Sequence, residues 1–314
     1  MFQTVLEEIR NHDTIIIHRH HHPDGDAMGA QIGLKHLILQ NFPGKKVFTV
    51  GDGAGRYSFM DDSTMDEIPD CTYDGALVFV LDLSAHHLVA DKRYTTGDKS
   101  IRLDHHISGP HKFCDIEIAD VSFESVCGLI AQMALELGWE IPTSAARSLF
   151  TGMATDSGRF RYDSTTPRTM RLAAMLMEKD IHAAEIFNQL YEKNFQQVKL
   201  DAQFTSRIQL TEHQVAWLYH DLDLIRTLPM DTFAVSRGMV SLMADIKGVD
   251  IWVNFTETED NTVLAELRSS KYNINPIAVK YGGGGHKKAS GATLPDRATA
   301  MAMLKDLDAM MIGD

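Results

Sequence analysis

The sequence has few cysteines, a deficit of basic residues and no long apolar run, and each absence excludes a class of protein. Its three cysteines, Cys71, Cys114 and Cys127, form an odd set without C-x-x-C spacing, which excludes a disulfide framework and a zinc ribbon. The net charge of -13 argues against a protein that coats long nucleic acid. Because no apolar run approaches transmembrane length and the N-terminus lacks a signal-peptide pattern, we expect a cytoplasmic location and no membrane partner.

The residues that are present are typical of a globular protein with room for two domains. Of 314 residues, 44% are hydrophobic and 23% are charged, which suffices for a sizeable core. Short apolar runs alternate with helical patterns, which predicts an α/β fold with a parallel sheet in the N-terminal domain. Strands are predicted at 14–18, 46–50, 76–82 and 100–103, and helices at about 26–41, 123–137, 143–153 and from 166 to about 210.

Acidic and histidine side chains occur where the predicted elements end. The segment His20–Asp26 follows the first strand directly, and two later strands end at Asp82 and run into Asp104–His106. Asp156 follows a predicted helix. Because the carboxyl ends of parallel strands meet at one edge of a sheet, like charges would crowd there unless cations lie among them. The sequence therefore predicts a divalent-cation site at this edge.

Each of these groups alone also has a structural explanation. Asp26 could cap the following helix, and Asp82 could form a turn or a cap before Ser84. His105 and His106 alone would be read as a buried, hydrogen-bonded pair. Four predicted elements of one chain end in acidic or histidine residues, and this favours a shared metal site over four separate structural roles.

The motifs resemble, in order and in spacing, those of the DHH phosphoesterase superfamily, which is named after its Asp-His-His triplet. Further along the chain, Arg268–Ser270, Gly282–His286 and Ala289–Ala292 resemble the motifs of the DHH-associated C-terminal domain. The segment Gly158–Tyr162 fits the same branch. The resemblance covers nearly the whole chain, and the branch that it resembles consists of bifunctional oligoribonucleases and phosphatases of 3′-phosphoadenosine 5′-phosphate (pAp), often called nanoRNases.

The resemblance implies two metal ions that share one bridging carboxylate, that of Asp82. The implied ligands of the first ion are His20, Asp24 and Asp82, and those of the second are Asp26, Asp82, His105 and Asp156. Two bound cations lower the pKa of a water, align it with phosphorus and stabilise the leaving oxygen. Mixed histidine and carboxylate ligation suits manganese better than magnesium, so we expect two Mn²⁺, with Co²⁺, Fe²⁺ and Mg²⁺ as alternatives.

Three residues at this edge of the sheet are expected to be catalytic. Asp82 would bridge the metals, His106 would contact the substrate, and Asp104 would orient the histidine pair through hydrogen bonds. Which histidine of the pair ligates a metal stays open at this point. The extra histidines of the first segment are expected to be loop or supporting residues.

The C-terminal part predicts a smaller α/β domain that is joined by a helical linker. Its predicted strands are 215–219, 250–255 and 263–267, and its predicted helices are 274–281 and 297–311. The predicted limits are 1–195 for the DHH domain, 196–212 for the linker and 213–314 for the substrate-binding domain.

The run of four glycines in this domain has two interpretations. Most glycine-rich stretches are flexible linkers, but this run lies inside a compact domain beside basic residues. Glycines let backbone N–H groups approach a phosphate, and an arginine can bind one with two hydrogen bonds. The expected substrate-binding residues are Arg268, Ser269, Gly282, Gly283, Gly284, Gly285 and His286.

The resemblance implies hydrolysis of short oligoribonucleotides, of about two to five nucleotides, to nucleoside monophosphates, and of pAp to AMP. We expect a C-terminal domain that holds the terminal nucleotide and so selects short substrates. The alternatives are a phosphodiesterase of cyclic or linear dinucleotides, a pyrophosphatase or polyphosphatase, and a regulatory nucleotide-binding module without activity. The complete ligand set argues against the last of these.

The direction of degradation and the preferences for base and sugar stay open, as does the oligomeric state. The methionine-rich stretch Met170–Met177 is expected to pack in the core, with a homodimer interface as the alternative.

Overall fold

The computed structural model describes residues 2–107 and 112–313, and the chain folds into two units, Met1–Glu192 and Lys193–Asp314. The first unit is an α/β fold on a parallel sheet, and the second is a smaller α/β fold, as expected from the sequence. The predicted limits of the domains and the role of the linker stay predictions. Among the described residues, no helix combines the length and the apolar character that crossing a bilayer requires.

The N-terminal unit contains a five-stranded sheet in which every neighbouring pair of strands is parallel. The strand order is β2-β1-β3-β4-β5, so the fully buried β3 lies at the centre. A continuous apolar strand is typical of a parallel sheet covered on both faces. The strands are β1 Thr14–Arg19, β2 Lys46–Thr49, β3 Leu77–Leu81, β4 Lys99–Asp104 and β5 Ile116–Ala119.

The helices of this unit include a tightly packed pair, α2 and α4. Gly25, Gly29 and Gly33 follow one another at four-residue spacing on α2. A Cβ atom on Gly29 would lie 2.4 Å from the carbonyl oxygen of Ser148 in α4. The glycines therefore let the two helix backbones approach. The helices are α1 Gln3–Asn11, α2 Gly25–Asn41, α3 Val126–Glu136, α4 Thr143–Asp156, α5 Pro167–Met177 and α6 Ala183–Tyr191.

The methionines of α5 differ from the expectation. Met170 and Met177 are about half exposed, whereas Leu172 and Leu176 form the buried face of the helix. The helical period places leucines rather than these two methionines toward the core. The expectation of buried packing is therefore wrong for Met170 and Met177.

The C-terminal unit contains a six-stranded mixed sheet in the order β10-β11-β9-β8-β7-β6. Only the β7–β8 pair is parallel among its described strands. Its elements are α7 Phe195–Thr205, β6 Gln209–Leu210, β7 Ala216–His220, α8 Leu222–Arg226, α9 Thr232–Met239, β8 Ile251–Glu257, β9 Val263–Ser269, α10 Asn275–Lys280, β10 Gly284–Gly285, β11 Ala289–Leu294 and α11 Arg297–Ala309.

Candidate metal centre

The carboxyl ends of the central strands carry most of the predicted metal ligands. His20 and Asp24 follow β1, Asp82 follows β3, and Asp104 is the last residue of β4. Asp156 is the last residue of α4, which is three residues longer than predicted. Parallel strands present these ends at one edge of the sheet, where the following loops can converge.

The structure brings these side chains together in three overlapping groups. In each group, one candidate ligand atom from each residue lies within 4.8 Å of the others. Asp82 and His105 each belong to two groups, so the three groups form one continuous cluster. The groups are His20, Asp24 and Asp82; Asp26, His105 and Asp156; and Asp82, His105 and His106.

Asp82 connects the groups through its two carboxylate oxygens. Its Oδ2 lies 3.6 Å from Nε2 of His20, and its Oδ1 lies 3.6 Å from Nε2 of His105. The residue is only 2% exposed, and within residues 2–107 and 112–313 its Oδ1 has no hydrogen-bond partner. Because a buried oxygen without a partner is costly, this atom fits the position of a bridging metal ligand.

The backbone at Asp82 is also strained. Its φ is +59°, in the left-handed region that favours glycine. Such a conformation costs about 1–3 kcal/mol and often occurs at functional sites. The Asp82 N–H donates to the carbonyl oxygen of Leu103 at 3.1 Å, which fastens the end of β3 to β4.

The N-termini of α2 and α3 bind the carboxylates of Asp24 and Asp26, respectively. Asp24, rather than Asp26, is the cap of α2, and its Oδ1 accepts hydrogen bonds of 3.0 Å from the N–H groups of Asp26 and Ala27. Asp26 lies within α2 and accepts from the N–H groups of Val126 and Cys127 at the start of α3, at 2.6 and 2.9 Å. The interpretation of Asp26 as the cap of α2 is therefore wrong.

A glycine on α4 makes room for the Asp26 carboxylate. A Cβ atom on Gly152 would lie 3.0 Å from Oδ1 of Asp26 and 2.2 Å from Sγ of Cys127. Gly152, Gly25 and Gly29 are functional positions without a sequence motif of their own. The signal that could have identified them is a glycine within a predicted helix, which usually has a packing reason.

The electrostatics of the cluster favour bound positive charge. Burial raises the pKa of Asp26 well above its usual value, and the charges of Asp82 and Asp24 raise it further. Burial and the charges of Asp26 and Asp24 act in the same way on the pKa of Asp156. Burial lowers the pKa of His20, but hydrogen bonds to Asp24 and Asp82 outweigh this effect and raise it to about 11. Divalent cations at the cluster would relieve this repulsion.

Hydrogen bonds from Nδ1 orient two of the histidines. Nδ1 of His20 donates to the carbonyl oxygen of His21 at 2.8 Å, and Nδ1 of His105 donates to that of Phe123 at 3.4 Å. Nε2 of each ring faces the carboxylates, and Nε2 of His105 lies 3.3 Å from Oδ2 of Asp156. This arrangement is common for metal-binding histidines.

Asp104 contacts the second histidine of the pair and not the first. Its Oδ1 accepts a 2.8 Å hydrogen bond from Nδ1 of His106, and its Oδ2 accepts from Nη2 of the buried Arg102. Burial raises the pKa of Asp104, but His106 and Arg102 outweigh this and lower it. The expectation that Asp104 orients both histidines is therefore wrong for His105.

A fully buried arginine supports the loop that carries His20. Arg19 donates from Nη1 to the carbonyl oxygen of His20 at 3.0 Å and to Oδ1 of Asp52 at 2.8 Å. Oδ2 of Asp52 accepts from the N–H of His22 at 2.7 Å. This network could not be predicted from the sequence, because Asp52 lies outside the predicted strands and helices and is 33 residues from Arg19.

Arg268 and Ser269, two of the predicted substrate-binding residues, form hydrogen bonds within the C-terminal unit. Nη1 of Arg268 donates to Oε2 of Glu266 at 3.1 Å and to the carbonyl oxygen of Leu267 at 2.8 Å, and its side chain is 30% exposed. The hydroxyl of Ser269 donates to the carbonyl oxygen of Asp250 and accepts from the N–H of Tyr272. Ser269 therefore acts as a turn residue, and its hydroxyl is not available to a substrate in this conformation.

The glycine run is neither a linker nor an open loop. Gly282 and Gly283 donate their N–H groups to carbonyl oxygens of α10, whereas Gly284 and Gly285 form β10. A Cβ atom on Gly283 would lie 2.1 Å from the carbonyl oxygen of Gly291 in β11. The amides of Gly282 and Gly283 are thus not available to a phosphate in this conformation, while His286 lies exposed beyond the run.

A parallel α/β unit with clustered carboxylates and histidines at its strand ends, followed by a second α/β unit, is the arrangement expected of a two-domain, metal-dependent phosphoesterase. The sequence matches the family model described as the DHH family, N-terminal domain, over residues 14–153, and the DHHA1 domain model over residues 231–312. The chain belongs to the DHH family, with a DHHA1 domain, and it is a hydrolase that acts on phosphate ester bonds.

Named relatives resemble the chain over almost its whole length. It is 35% identical to the bifunctional oligoribonuclease and PAP phosphatase NrnA of Bacillus subtilis, over 98% of this chain and 97% of that protein. It is 31% identical to the protein of the same name from Mycoplasma genitalium, over 96% of this chain and 95% of that protein. A solved structure, of an exopolyphosphatase-related protein from Bacteroides fragilis, has a TM-score of 0.89 and 23% identity and covers 99% of this chain and 97% of its own. This last likeness supports the fold alone.

Proposed function

We propose that this protein hydrolyses short oligoribonucleotides, of about two to five nucleotides, to nucleoside monophosphates and pAp to AMP, with two Mn²⁺ ions. The observation that carries the proposal is the continuous cluster of candidate ligands centred on Asp82. One carboxylate oxygen of Asp82 faces Nε2 of His20, and the other faces Nε2 of His105. The relatives named as oligoribonucleases and PAP phosphatases support the choice of substrates.

Six members of the three groups would be ligands. His20, Asp24 and Asp82 would hold one ion, and Asp82 would hold the other together with Asp26, His105 and Asp156. The seventh member, His106, has a separate role. When bound, the two ions supply a water of lowered pKa and positive charge at the leaving oxygen. Histidine ligands at both positions favour Mn²⁺ over Mg²⁺, which prefers oxygen ligands.

His106 is the proposed contact to the scissile phosphate. Asp104 and Arg102 fix its ring, because Nδ1 donates to Asp104 and Arg102 in turn holds that carboxylate. Arg102 also donates from Nη1 to Glu117 at 2.9 Å, so the support extends into β5. In this role Asp104 is a positioning residue that acts through His106.

Arg268 and the exposed His286 are the proposed nucleotide contacts of the C-terminal unit. The pair of Arg268 with Glu266 is partly exposed, and a partly exposed ion pair contributes little stability, so a substrate phosphate can compete for this guanidinium. Homodimer formation stays a prediction.

The test is hydrolysis of the 5′-phosphorylated diribonucleotide pApA by chelator-stripped protein, with and without added Mn²⁺. AMP release, followed by chromatography, is expected only with the metal. Bis-p-nitrophenyl phosphate serves as the control for an active metal centre. Protein that cleaves this control but releases no AMP from pApA or pAp would contradict the proposed substrates and shift attention to cyclic dinucleotides.

A further inference from the structure

Two arginines and two tyrosines form a second cluster on the N-terminal unit, and none of the roles above uses it. Nη2 of Arg56 donates to the carbonyl oxygen of Leu190 at 3.0 Å. The guanidinium carbon of Arg159 lies 3.9 Å from the ring centre of Tyr191. The two guanidinium groups therefore contact adjacent residues, Leu190 and Tyr191. We call Arg56 and Arg159 the arginine pair.

The chain reaches Arg159 through a strained turn directly after the candidate ligand Asp156. Arg159 and Phe160 both have a left-handed backbone, with φ of +63° and +61°. Hydrogen bonds hold the turn, because the Arg159 N–H donates to the carbonyl oxygen of Ala154 at 2.7 Å and the Phe160 N–H donates to Oγ of Ser157 at 3.0 Å. Two consecutive left-handed residues other than glycine are rare, and such strain often marks a functional segment.

A chain of aromatic rings fixes the position of the Arg159 side chain. Phe160 packs against Phe150 with ring centres 5.6 Å apart, and Phe150 packs against Phe187 at 5.8 Å. Phe187 stacks on Tyr191 at 6.2 Å with an interplanar angle of 24°. The ring on which Arg159 lies is thus itself held by the core, so the guanidinium is preorganised.

The cluster is joined to the metal centre through the chain. Arg159 follows the candidate ligand Asp156 by three residues, and Tyr57, the neighbour of Arg56, is buried. Both arginines are exposed, and within the described residues they contact Leu190 and Tyr191 and not a carboxylate. In a protein of net charge -13, two exposed guanidinium groups without an acidic partner beside a phosphoesterase centre suit a phosphate ligand.

We propose that the arginine pair binds a second phosphate group of the substrate, one that is not hydrolysed. The ligand class is a nucleotide with two phosphates, such as a bisphosphorylated nucleoside or a short oligonucleotide with a 5′-phosphate. This inference rests on the proposed function and adds a specificity-determining site to it. The site distinguishes substrates with a second phosphate from those with one.

The test compares pAp with adenosine 3′-phosphate, which shares the hydrolysed 3′-phosphate but lacks the 5′-phosphate. The wild-type protein is expected to have the higher kcat/KM on pAp. Arg159→Gln and Arg56→Gln should each lower kcat/KM for pAp about 10- to 100-fold, mainly through KM, because a hydrogen bond to a charged group is lost. The loss on adenosine 3′-phosphate should stay within about threefold, since the lost contact is absent there.

Arg10→Gln is the matched control for the loss of one exposed positive charge. Arg10 is exposed in the last turn of α1, before β1 begins, and it contacts neither the arginine pair nor a candidate ligand, so this variant should act as the wild type on both substrates. Equal losses on the two substrates, or no loss in either arginine variant, would overturn the second-phosphate site alone. A wild-type protein that hydrolyses neither substrate would overturn the proposed function and this site with it.

Discussion

The two units use charged side chains in different ways. In the N-terminal unit, Asp26 and Asp82 are 1% and 2% exposed, and Oδ1 of Asp82 has no hydrogen-bond partner among the described residues. In the C-terminal unit, Arg268 is 30% exposed, and its guanidinium already has Glu266 as a partner. The first arrangement is costly without a bound cation, whereas the second is stable by itself.

The difference indicates where a ligand is built into the fold. The buried carboxylates of Asp26 and Asp82 lie close to further acidic groups, and this charge repulsion favours a bound cation at the N-terminal site. The C-terminal residues satisfy one another, so a substrate has to compete with existing contacts there. Losses of activity should therefore be large in the first region and modest in the second.

The largest expected effect is that of Asp82→Asn. Asparagine keeps the shape and tolerates the left-handed backbone, but it removes the shared negative charge. Hydrolysis of both pApA and bis-p-nitrophenyl phosphate should fall about 1000-fold or more, and bound metal should decrease. Asp62→Asn is the control, since Asp62 is also left-handed but exposed and paired with His36. Near-normal turnover by Asp82→Asn would refute the bridging role.

Gly29→Ala should damage the metal centre through packing. Its Cβ atom would lie 2.4 Å from the carbonyl oxygen of Ser148, so α2 would move away from α4 and separate Asp26 from Asp156. We expect a loss of stability of about 1–3 kcal/mol, measured by thermal unfolding, together with a lower kcat. Gly44→Ala, in open space, is the control. A fully active, equally stable Gly29→Ala protein would contradict the packing argument.

Gly283→Ala should destabilise the C-terminal unit by a similar amount, about 1–3 kcal/mol, because its Cβ atom would meet the carbonyl oxygen of Gly291 at 2.1 Å. Gly284→Ala, which meets nothing within 4 Å, should leave thermal unfolding and KM for pApA unchanged. If Gly284→Ala instead raised KM at unchanged stability, the run would regain its predicted role in phosphate binding.

Arg268→Gln should have the smallest of these effects. It should raise KM for pApA about tenfold through the loss of one charged contact, with a much smaller effect on bis-p-nitrophenyl phosphate. Arg237→Gln is a matched control, because Nε of Arg237 lies 3.7 Å from the same Glu266 side chain. Equal effects of the two variants would assign the loss to Glu266 rather than to a substrate contact.

The sequence predicted the edge of the sheet that carries the candidate site, because acidic residues at the ends of apolar strands are rare and parallel strands bring those ends together. The central strand β3 is where the apolar run predicted it. The short β5 and β11 were not predicted, since partly exposed segments of four to six residues have no clear apolar pattern.

Contacts between distant segments could not be predicted from local patterns. The cap at Asp24 instead of Asp26 depends on the turn geometry, and the carbonyl partner of His105 lies in the segment before α3. The strand β10 forms because its glycines let the neighbouring β11 approach closely. From the sequence alone, a run of glycines that forms such a strand looks the same as a flexible linker. Such details follow from the tertiary fold.

The most direct test of the central claim is X-ray diffraction from crystals grown with Mn²⁺, with anomalous maps recorded at the manganese edge. The account predicts two anomalous peaks joined by the Asp82 carboxylate, one beside His20 and the other beside His105. A single peak, or two peaks that do not share Asp82, would contradict it.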